Sequence, residues 1–560
     1  MAKSRASAPV GIEFEALAFR LAAATENPEA WRGRAWHAIE QSLGASWRVD
    51  AVAEGHPEFL ARSTAARKLA PSRAWDLSRQ LAALPAIETA EPLFNAPGLT
   101  PDPKQLGRLM TAEERARGGQ RRVERVPRAK GTPALPCSNH SEWSLDFCGV
   151  KAAWEYTQHS GVHPLGEGII VGHPDTGYTV HPEIWDAADL RILTAHGWNY
   201  VDDTADPLDP LTGEHPSHGT STASVIMSDQ GGPTGKWVSG VAPRAALVPF
   251  RVSDSVIHFS FANVMQALYR ATDVAGAHLV SMSLGGPFPS ESLERAIDHA
   301  IDRGLIVLAA AGNIWPWVVY PARYDPVIAV AANNCATKPW SGSARGAKVD
   351  ITAPGESVWR ALTQNDASGS RYLVERSSGT SYAVATAAGA CALWLGHHGR
   401  DALVQRYGAG KLASVFLKLL ERTAHRPSGW NRHEYGAGIL DVDRLLRAPL
   451  PAKASKPKSR ASATAVVRRE RFDGRVAELF PDIDPDRALH AVEGMFAMRS
   501  PRSKAAFARV DHEILFLLAT TPALRADLRR QIDARSKRGA KSALPPAIAT
   551  SQLLSSLMHR

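Results

Sequence analysis

The sequence lacks the features of a membrane-spanning or signal-bearing chain. No segment reaches the roughly 18 consecutive apolar residues that a transmembrane helix needs. Near the N-terminus, Glu13, Glu15 and Arg20 interrupt the apolar residues, so no continuous signal-peptide core is present. We therefore expect a cytoplasmic protein without a membrane span.

Cysteine is scarce, with four residues in a chain of 560. This number is too small for a disulfide-dense framework. Cys137 and Cys148 are close enough in sequence to pair in an oxidising compartment. Unpaired, buried thiols are the favoured interpretation for these two residues and for Cys335 and Cys391.

Two common catalytic signatures are also absent. The chain has no Gly-x-Ser-x-Gly elbow of the kind found in lipases and esterases, and no HExxH motif of zinc peptidases. His215 and His218 form an HxxH pair, but no neighbouring Glu gives the HExxH pattern and no Cys lies nearby. The sequence predicts no catalytic metal.

Positive charge is unevenly distributed along the chain. The formal net charge is +9, and the excess lies largely in residues 114–130 and 451–460. Both stretches are typical of solvated, flexible tethers. We therefore predict no nucleic-acid partner.

The length requires more than one domain, because a single hydrophobic core does not grow to 560 residues. The basic stretches rich in Pro, Ala and Ser divide the chain. The predicted parts are a small α+β N-terminal domain (1–100), a basic linker (101–136), a catalytic domain (137–447), a second linker (448–468) and a helical C-terminal domain (469–560).

Local patterns predict elements within the two terminal domains. In the N-terminal domain we expect a helix over Ile12 to Ala23, an extended stretch at 46–54, a helix at 72–85 and a strand at 86–94. In the C-terminal domain, apolar residues recur at helical spacing and Pro522 starts a helix. These helices are expected to form a bundle or hairpin, and nothing there indicates catalysis. Because the domain is tethered, we expect a module that binds an unidentified protein partner or has a regulatory role. The periodic residues are Leu489, Val492, Phe496, Phe507, Val510, Ile514, Leu517, Leu524, Leu528 and Ile532.

The middle of the chain alternates short apolar runs with helical patterns, which predicts an α/β fold with a parallel sheet flanked by helices. Such a sheet binds its ligand at the carboxyl ends of its strands, where Asp175, Ser283 and Asn313 are expected. The candidate strands are 168–174, 245–252, 277–284, 305–312 and 327–332, and the candidate helices are 261–276 and 291–304.

Three short glycine-containing stretches carry the groups of a nucleophilic triad. Asp175, His218 and Ser381 occur in that order, each in its own turn. A serine hydroxyl needs a histidine to accept its proton and a carboxylate to orient that histidine. Ser381 opens a run of small residues that suits a helix start, and Asn313 follows an apolar strand, so its amide could complete an oxyanion hole with a backbone N–H.

The stretches around these residues resemble those of subtilisin-like serine peptidases, in the family's chain order. Ser221 also lies in a Gly-Thr-Ser, but His218 just before it belongs to the same turn, so Ser381 is the favoured nucleophile. The matching stretches are Asp175-Thr176-Gly177, His218-Gly219-Thr220, Gly240-Val241-Ala242-Pro243, Ser281-Met282-Ser283-Leu284-Gly285-Gly286, Ala310-Ala311-Gly312-Asn313, Tyr320-Pro321-Ala322, Ala353-Pro354-Gly355 and Gly379-Thr380-Ser381.

The resemblance implies a serine endopeptidase with a polypeptide substrate. It makes Asp175, His218 and Ser381 the triad, Asn313 the oxyanion donor, and the strip Ser283-Leu284-Gly285 a partner for substrate backbone. The chain departs from the family at Tyr382, Ala385 and Thr386, where Met, Pro and His are usual, which suggests altered packing. Ile314 replaces a frequent acidic residue, so we expect an apolar or uncharged side chain before the scissile bond.

The N-terminal domain has a resemblance of its own, because residues 77–94 look like the end of a subtilase propeptide. That implies a self-inhibited precursor, or zymogen, with cleavage in the basic stretch after Arg115. An ordinary accessory domain is the alternative. A second alternative concerns the whole chain: a catalytically silent pseudopeptidase that acts as a peptide-binding scaffold.

No cofactor is required for this chemistry. The family often binds structural calcium, and the acidic run Asp202, Asp203, Asp206 and Asp209 supplies oxygen ligands. Its spacing matches no defined calcium loop, so a solvated turn is the favoured interpretation and no calcium site is located.

Overall fold

The structure is a computed structural model of the chain, and it separates into two compact units. The first combines residues 1–120, 287–292 and 456–560, and the second combines 121–286 and 293–455. None of the described helices has the length and hydropathy that a bilayer crossing requires. The described residues are 12–22, 27–65, 69–96, 135–160, 162–185, 191–229, 238–366, 369–452 and 511–536, with the single residues Val476, Arg487 and Ala491.

The N-terminal domain is a β-α-β-β-α-β unit, one of the recurrent α+β arrangements. Its four strands form an antiparallel sheet in the order β2-β3-β1-β4. Aromatic and aliphatic side chains from the sheet and both helices form one core, in which Phe19 stacks on Phe59. The elements are β1 (Glu13–Leu21), α1 (Pro28–Leu43), β2 (Trp47–Ala51), β3 (Glu58–Ser63), α2 (Pro71–Ala82) and β4 (Ile87–Asn95).

The helix predicted over Ile12 to Ala23 is wrong, because Glu13–Leu21 form strand β1. Leu17, Phe19 and Leu21 all enter the core, which is the period of two that a strand produces. Pairing with β3 on one side and β4 on the other makes β1 a central strand. Helix α1 was not predicted, whereas the expected β2, α2 and β4 are confirmed.

The second unit is built on a seven-stranded parallel sheet in the order β11-β10-β9-β8-β5-β7-β6. All five candidate strands of the sequence analysis lie in it, which confirms the predicted sheet. Strands β7 and β8 follow one another in the chain but pair with opposite sides of β5. A crevice therefore opens at the carboxyl ends of these strands. The strands are β5 (Ile170–Asp175), β6 (Trp198–Asn199), β7 (Ala246–Arg251), β8 (Leu279–Met282), β9 (Ile306–Ala310), β10 (Ile328–Asn333) and β11 (Ile351–Pro354).

Helices flank this sheet. The two helices predicted at 261–276 and 291–304 are confirmed as α6 (Ala262–Asp273) and α7 (Glu291–Asp302). The central helix α8 is buried from Thr380 to His397 and packs across β8 to β11, because its small residues allow a close approach to the sheet. The helices are α3 (Trp143–Phe147), α4 (Val150–Ser160), α5 (His218–Met227), α6 (Ala262–Asp273), α7 (Glu291–Asp302), α8 (Thr380–His398), α9 (Arg400–Tyr407), α10 (Leu412–Thr423), α11 (Arg432–Tyr435) and α12 (Val442–Arg447).

A long two-stranded ribbon and four short turns complete the second unit. The ribbon pairs β12 (Val358–Asp366) with β13 (Gly369–Ser377) in antiparallel register. Each turn is a single 3₁₀ turn. The turns are Pro136–Ser138, Pro164–Gly166, Thr194–His196 and Ala409–Lys411.

Two helices are described in the C-terminal domain, α13 (Asp511–Thr520) and α14 (Pro522–Ser536). Pro522 starts α14 as predicted, since the first helical position needs no backbone N–H. The periodic residues from Ile514 onward are buried, as expected of core positions. The predicted residues from Leu489 to Val510, and most of both predicted linkers, lie outside the described residues.

The expectation of unpaired cysteines is wrong for two of the four. Cys137 in the first 3₁₀ turn forms a disulfide with Cys335 in the loop after β10, across 198 residues of sequence. Cys148, the partner considered from proximity in sequence, is a buried free thiol, as is Cys391. Since disulfides persist mainly in oxidising compartments, this bond weighs against the cytoplasmic location, which stays a prediction.

Blocking the thiols of the denatured, unreduced chain with iodoacetamide should modify only Cys148 and Cys391. Reduction before alkylation should add two further modifications, which peptide mass mapping would assign to Cys137 and Cys335. We also expect Cys137→Ser to lower the stability of the second unit by roughly 2–5 kcal/mol, because the disulfide closes a long loop. Four modified cysteines without reduction would contradict the pairing.

Candidate active site

Asp175 ends strand β5 with its carboxylate buried, and it is held by donors from three residues. Its Oδ1 accepts from the Thr176 N–H at 2.7 Å and lies 2.8 Å from His218 Nδ1. Its Oδ2 accepts from Thr222 Oγ1 at 3.3 Å. Burial by itself would raise the pKa of Asp175, but the opposing effects of His218, His173 and the Thr176 N–H outweigh it and leave the pKa below its usual value. The carboxylate therefore stays ionised beside the imidazole.

His218 is the first residue of helix α5, and two glycines bring that helix against the turn after β5. A Cβ on Gly219 would lie 1.9 Å from the carbonyl oxygen of Gly177, a distance that no side chain tolerates. Gly177 itself has a φ of 101°, in the region that favours glycine. The glycines of both motifs thus set the short distance between Asp175 and His218.

A second buried carboxylate supports the same junction. Asp209 Oδ2 accepts from Thr176 Oγ1 at 2.8 Å and from the Ser217 N–H at 2.8 Å, and Thr176 Oγ1 in turn accepts from the Gly219 N–H. Burial raises the pKa of Asp209. The sequence analysis considered this residue only as part of an acidic run, and no local signal distinguishes it from its neighbours.

Two carboxylates of the acidic run, those of Asp209 and Asp202, already have donors within the protein. Asp209 directs its carboxylate to the donors just described. Asp202 bonds Asn199 Nδ2 at 3.1 Å and pairs with Arg251. Since both carboxylates are engaged by protein donors, their oxygens do not fit a shared cation, and we derive no step through calcium.

Ser381 lies in the first turn of helix α8. Its Oγ donates to the carbonyl oxygen of Ser283 at 3.3 Å, and Ser283 Oγ donates to the carbonyl oxygen of Ser381 at 3.1 Å. Among the described hydrogen bonds none joins Ser381 to His218. Such catalytic hydrogen bonds are often long in free enzymes and shorten when substrate binds.

Asn313 is oriented toward the start of α8 by its own side-chain oxygen. Its Oδ1 accepts from the Thr380 N–H at 2.9 Å and from Thr380 Oγ1 at 2.7 Å, so its Nδ2 is left to donate elsewhere. A Cβ built on Gly379 would lie 3.5 Å from that Nδ2 and 3.7 Å from the Ser381 nitrogen. The space beside Gly379 is therefore flanked by two N–H donors, which is the arrangement of an oxyanion hole.

The strip Ser283-Leu284-Gly285 follows strand β8 and is buried. Gly285 differs from the expectation, because its backbone groups already have partners within the chain. Its N–H donates to the Val256 carbonyl at 2.9 Å, and its carbonyl accepts from the His258 N–H at 2.9 Å. A peptide could pair with Gly285 only if segment 256–258 moved away from it.

The competing candidates have structural partners. Ser221 Oγ donates to the Ala361 carbonyl at 2.7 Å, which makes it part of the packing between α5 and β12. The rings of His215 and His218 meet edge to face, with centroids 6.2 Å apart. Burial lowers the pKa of His215 to about 4, so this ring is neutral near pH 7.

Comparison with known proteins shows the family of the chain. A sequence profile of the subtilase family matches residues 166–438. Subtilisin Savinase of Lederbergia lenta is 37% identical over 229 residues, which cover 41% of this chain and 76% of that protein. The chain belongs to the subtilase family. The matched region contains all seven candidate site residues.

The matches to other relatives of this subtilase cover different shares of those proteins' length. An alkaline protease of Alkalihalobacillus alcalophilus is 37% identical over 229 residues, and the chain spans 54% of its length. Thermitase of Thermoactinomyces vulgaris is 29% identical over 302 residues, which cover 53% of this chain and 93% of thermitase.

A solved structure shares the fold. Fervidolysin from Fervidobacterium pennivorans, described as a keratinolytic enzyme related to subtilisin, superposes with a TM-score of 0.56 at 22% identity. The superposition covers 79% of this chain and 62% of fervidolysin. At this identity the likeness concerns the fold alone, and it confirms the predicted subtilisin-like parallel sheet flanked by helices.

Proposed function

We propose that this subtilase is a serine endopeptidase that cleaves polypeptides through an acyl-enzyme. The observation that carries the proposal is the contact between the buried Asp175 carboxylate and the half-buried His218, whose Nδ1 lies 2.8 Å from Asp175 Oδ1. A carboxylate on Nδ1 holds the tautomer whose Nε2 accepts a proton. Family membership and the two N–H donors beside Gly379 add independent support.

In the proposed reaction Ser381 Oγ attacks the carbonyl carbon of the scissile peptide bond. His218 Nε2 takes the hydroxyl proton and passes it to the leaving amine, while Asp175 stabilises the imidazolium. Asn313 Nδ2 and the Ser381 N–H stabilise the negative charge on the carbonyl oxygen. Water then attacks the acyl-enzyme with His218 again as the base, which releases the second product and regenerates Ser381.

The proposed substrate is an extended polypeptide segment lying at the carboxyl end of β8. Ser283 and Leu284 are the proposed partners of the substrate backbone. Gly285 becomes a further partner when segment 256–258 moves away from it. Ile314 follows the oxyanion donor, so we propose an apolar or uncharged side chain before the scissile bond. No cofactor takes part in these steps.

We also propose that the N-terminal domain acts as a propeptide and makes the chain a zymogen. The β-α-β-β-α-β arrangement is a compact domain with its own core. Within the first compact unit, the Glu91 carboxylate of β4 accepts from Ser290 Oγ at 2.8 Å and from the Ser292 N–H at 2.7 Å. These residues lie at the start of α7, where a helix favours a carboxylate.

Loss of the nucleophile should abolish activity. Ser381→Ala should remove both hydrolysis of a fluorogenic peptide and labelling by a fluorophosphonate probe, and Asn313→Ala should lower kcat by about 10²- to 10³-fold. Ser221→Ala is the matched control, since its serine lies in the second Gly-Thr-Ser, and it should keep the label. Wild-type protein that binds peptides without labelling would support the pseudopeptidase scaffold instead.

Self-processing is the expected consequence of the zymogen proposal. Incubated wild-type protein should convert to a fragment of roughly 45–50 kDa through cleavage in the basic stretch that follows the N-terminal domain in the sequence. Intact-mass analysis would give the cleavage site, and Ser381→Ala should stay full length. A wild-type chain that hydrolyses peptides yet stays intact would favour an accessory domain over a propeptide.

A further inference from the structure

The described C-terminal helices pack against the N-terminal domain, and both belong to the first compact unit. Phe516 of α13 stacks on Phe94 of β4 with ring centroids 4.4 Å apart. The same ring meets Trp75 of α2 at 6.0 Å and Phe288 at 5.2 Å. Phe516 is thus the centre of an aromatic cluster drawn from segments far apart in the chain.

A buried ion pair lies beside this cluster. Arg79 Nη1 of α2 donates to Glu513 Oε2 of α13 at 2.8 Å, and the Glu513 side chain is only 1% exposed. Arg79 also bonds Asp76 on its own helix at 2.9 Å. A carboxylate as buried as that of Glu513 requires a cationic partner, so Arg79 specifies where α13 lies on the N-terminal domain.

The two C-terminal helices hold each other in the arrangement that presents Phe516 and Glu513. Arg525 of α14 is buried and donates to the Ala519 carbonyl at the end of α13, at 2.9 Å. A single residue, Thr521, joins the helices before Pro522 starts α14. The hairpin therefore binds as one element rather than as two independent helices.

We propose that the α13–α14 hairpin braces the N-terminal domain, so that the partner of the C-terminal helices is this chain's own N-terminal domain rather than another protein. The brace crosses β4 and α2, the two elements that end the N-terminal domain. This inference rests on the proposed zymogen in one respect. If the N-terminal domain is the inhibitory propeptide, the lifetime of its folded state depends on the C-terminal hairpin. The packing itself does not depend on activity.

Hydrogen exchange of the full chain carrying Ser381→Ala tests the brace without self-cleavage. In this background Phe516→Ala should accelerate amide exchange in α2 and β4 at least tenfold, because it removes the centre of the cluster. Glu513→Gln should accelerate exchange in α2 by a smaller factor. Arg530→Ala, an exposed position on α14, is the matched control and should leave both elements unchanged.

Amides of β5, β8 and β9 report whether the variant chain has folded as a whole. If Phe516→Ala keeps parental exchange in α2 and β4, the proposal is overturned. If Phe516→Ala also exposes the parallel sheet, Glu513→Gln decides, and unchanged exchange in α2 then overturns the proposal. Neither outcome bears on peptidase activity, so failure of the brace and failure of the proposed function are distinguishable.

An independent observation concerns Thr222, one helical turn after His218. Its Oγ1 lies 3.3 Å from Asp175 Oδ2 and 3.0 Å from Nε2 of the buried His173. Neither Thr222 nor His173 is among the candidate site residues of the sequence analysis. Burial lowers the pKa of His173, so its ring is neutral and carries a single N–H.

We infer that Thr222 is a positioning residue that acts through Asp175, again on the basis of the proposed function. When His173 Nε2–H donates to Thr222 Oγ1, the hydroxyl proton is directed at Asp175 Oδ2. The carbonyl oxygens of His218 and Gly219, both at 3.2 Å, compete for that proton, but a carboxylate is the stronger acceptor. The bond fixes the carboxylate plane and with it the imidazole.

Thr222→Val keeps the shape of the side chain and removes the hydroxyl. We expect kcat for a chromogenic peptide to fall about tenfold with KM unchanged, and Thr222→Ser to restore it. Thr423→Val is the matched control, because Thr423 bonds only the Leu419 carbonyl of its own helix, at 2.7 Å. A valine variant with parental kcat, or a serine variant as slow as valine, would overturn the inference, whereas an inactive parent would overturn the proposed function.

Discussion

A carboxylate removed from water must be surrounded by donors, and Asp175 shows how much of the second unit is arranged to meet that requirement. Its donors come from the next residue in the chain, from the first residue of α5 and from a threonine one turn further on. Those donors can reach it only because Gly177 and Gly219 let the turn and the helix approach closely. The carboxyl edge of the parallel sheet is the rigid support of this cluster.

The proposed oxyanion side of the site depends on a different element and on a different kind of constraint. Asn313 reaches the start of α8 because its own oxygen is anchored by Thr380, so the amide direction is set before any substrate is present. Ser381 lies in the first turn of that helix, where a backbone N–H has no helical acceptor. Preorganised donors of this kind need no rearrangement during reaction, which is the basis of their effect on rate.

The terminal domains show why local sequence patterns predicted one element wrongly and did not predict how the C-terminal helices pack. The stretch from Ile12 to Ala23 carries apolar residues dense enough to suit either a helix or a strand. Pairing with β3 and β4 decides for the strand, and both partners are distant in sequence. The C-terminal helices were recognised by their period, but their position against β4 and α2 depends on Phe516 and Glu513 meeting residues more than 400 positions away.

The sequence alone was sufficient for the parallel sheet and for the helix that begins at Pro522, because both depend on local periodicity and short motifs. The triad and oxyanion roles that its motifs indicate stay proposals. Tertiary structure decided the Cys137–Cys335 disulfide, the supporting contact of Asp209, the occupied backbone of Gly285 and the packing of the C-terminal hairpin. These features are contacts between segments that are remote in the chain. No local pattern records such contacts, since they exist only after the intervening residues have folded.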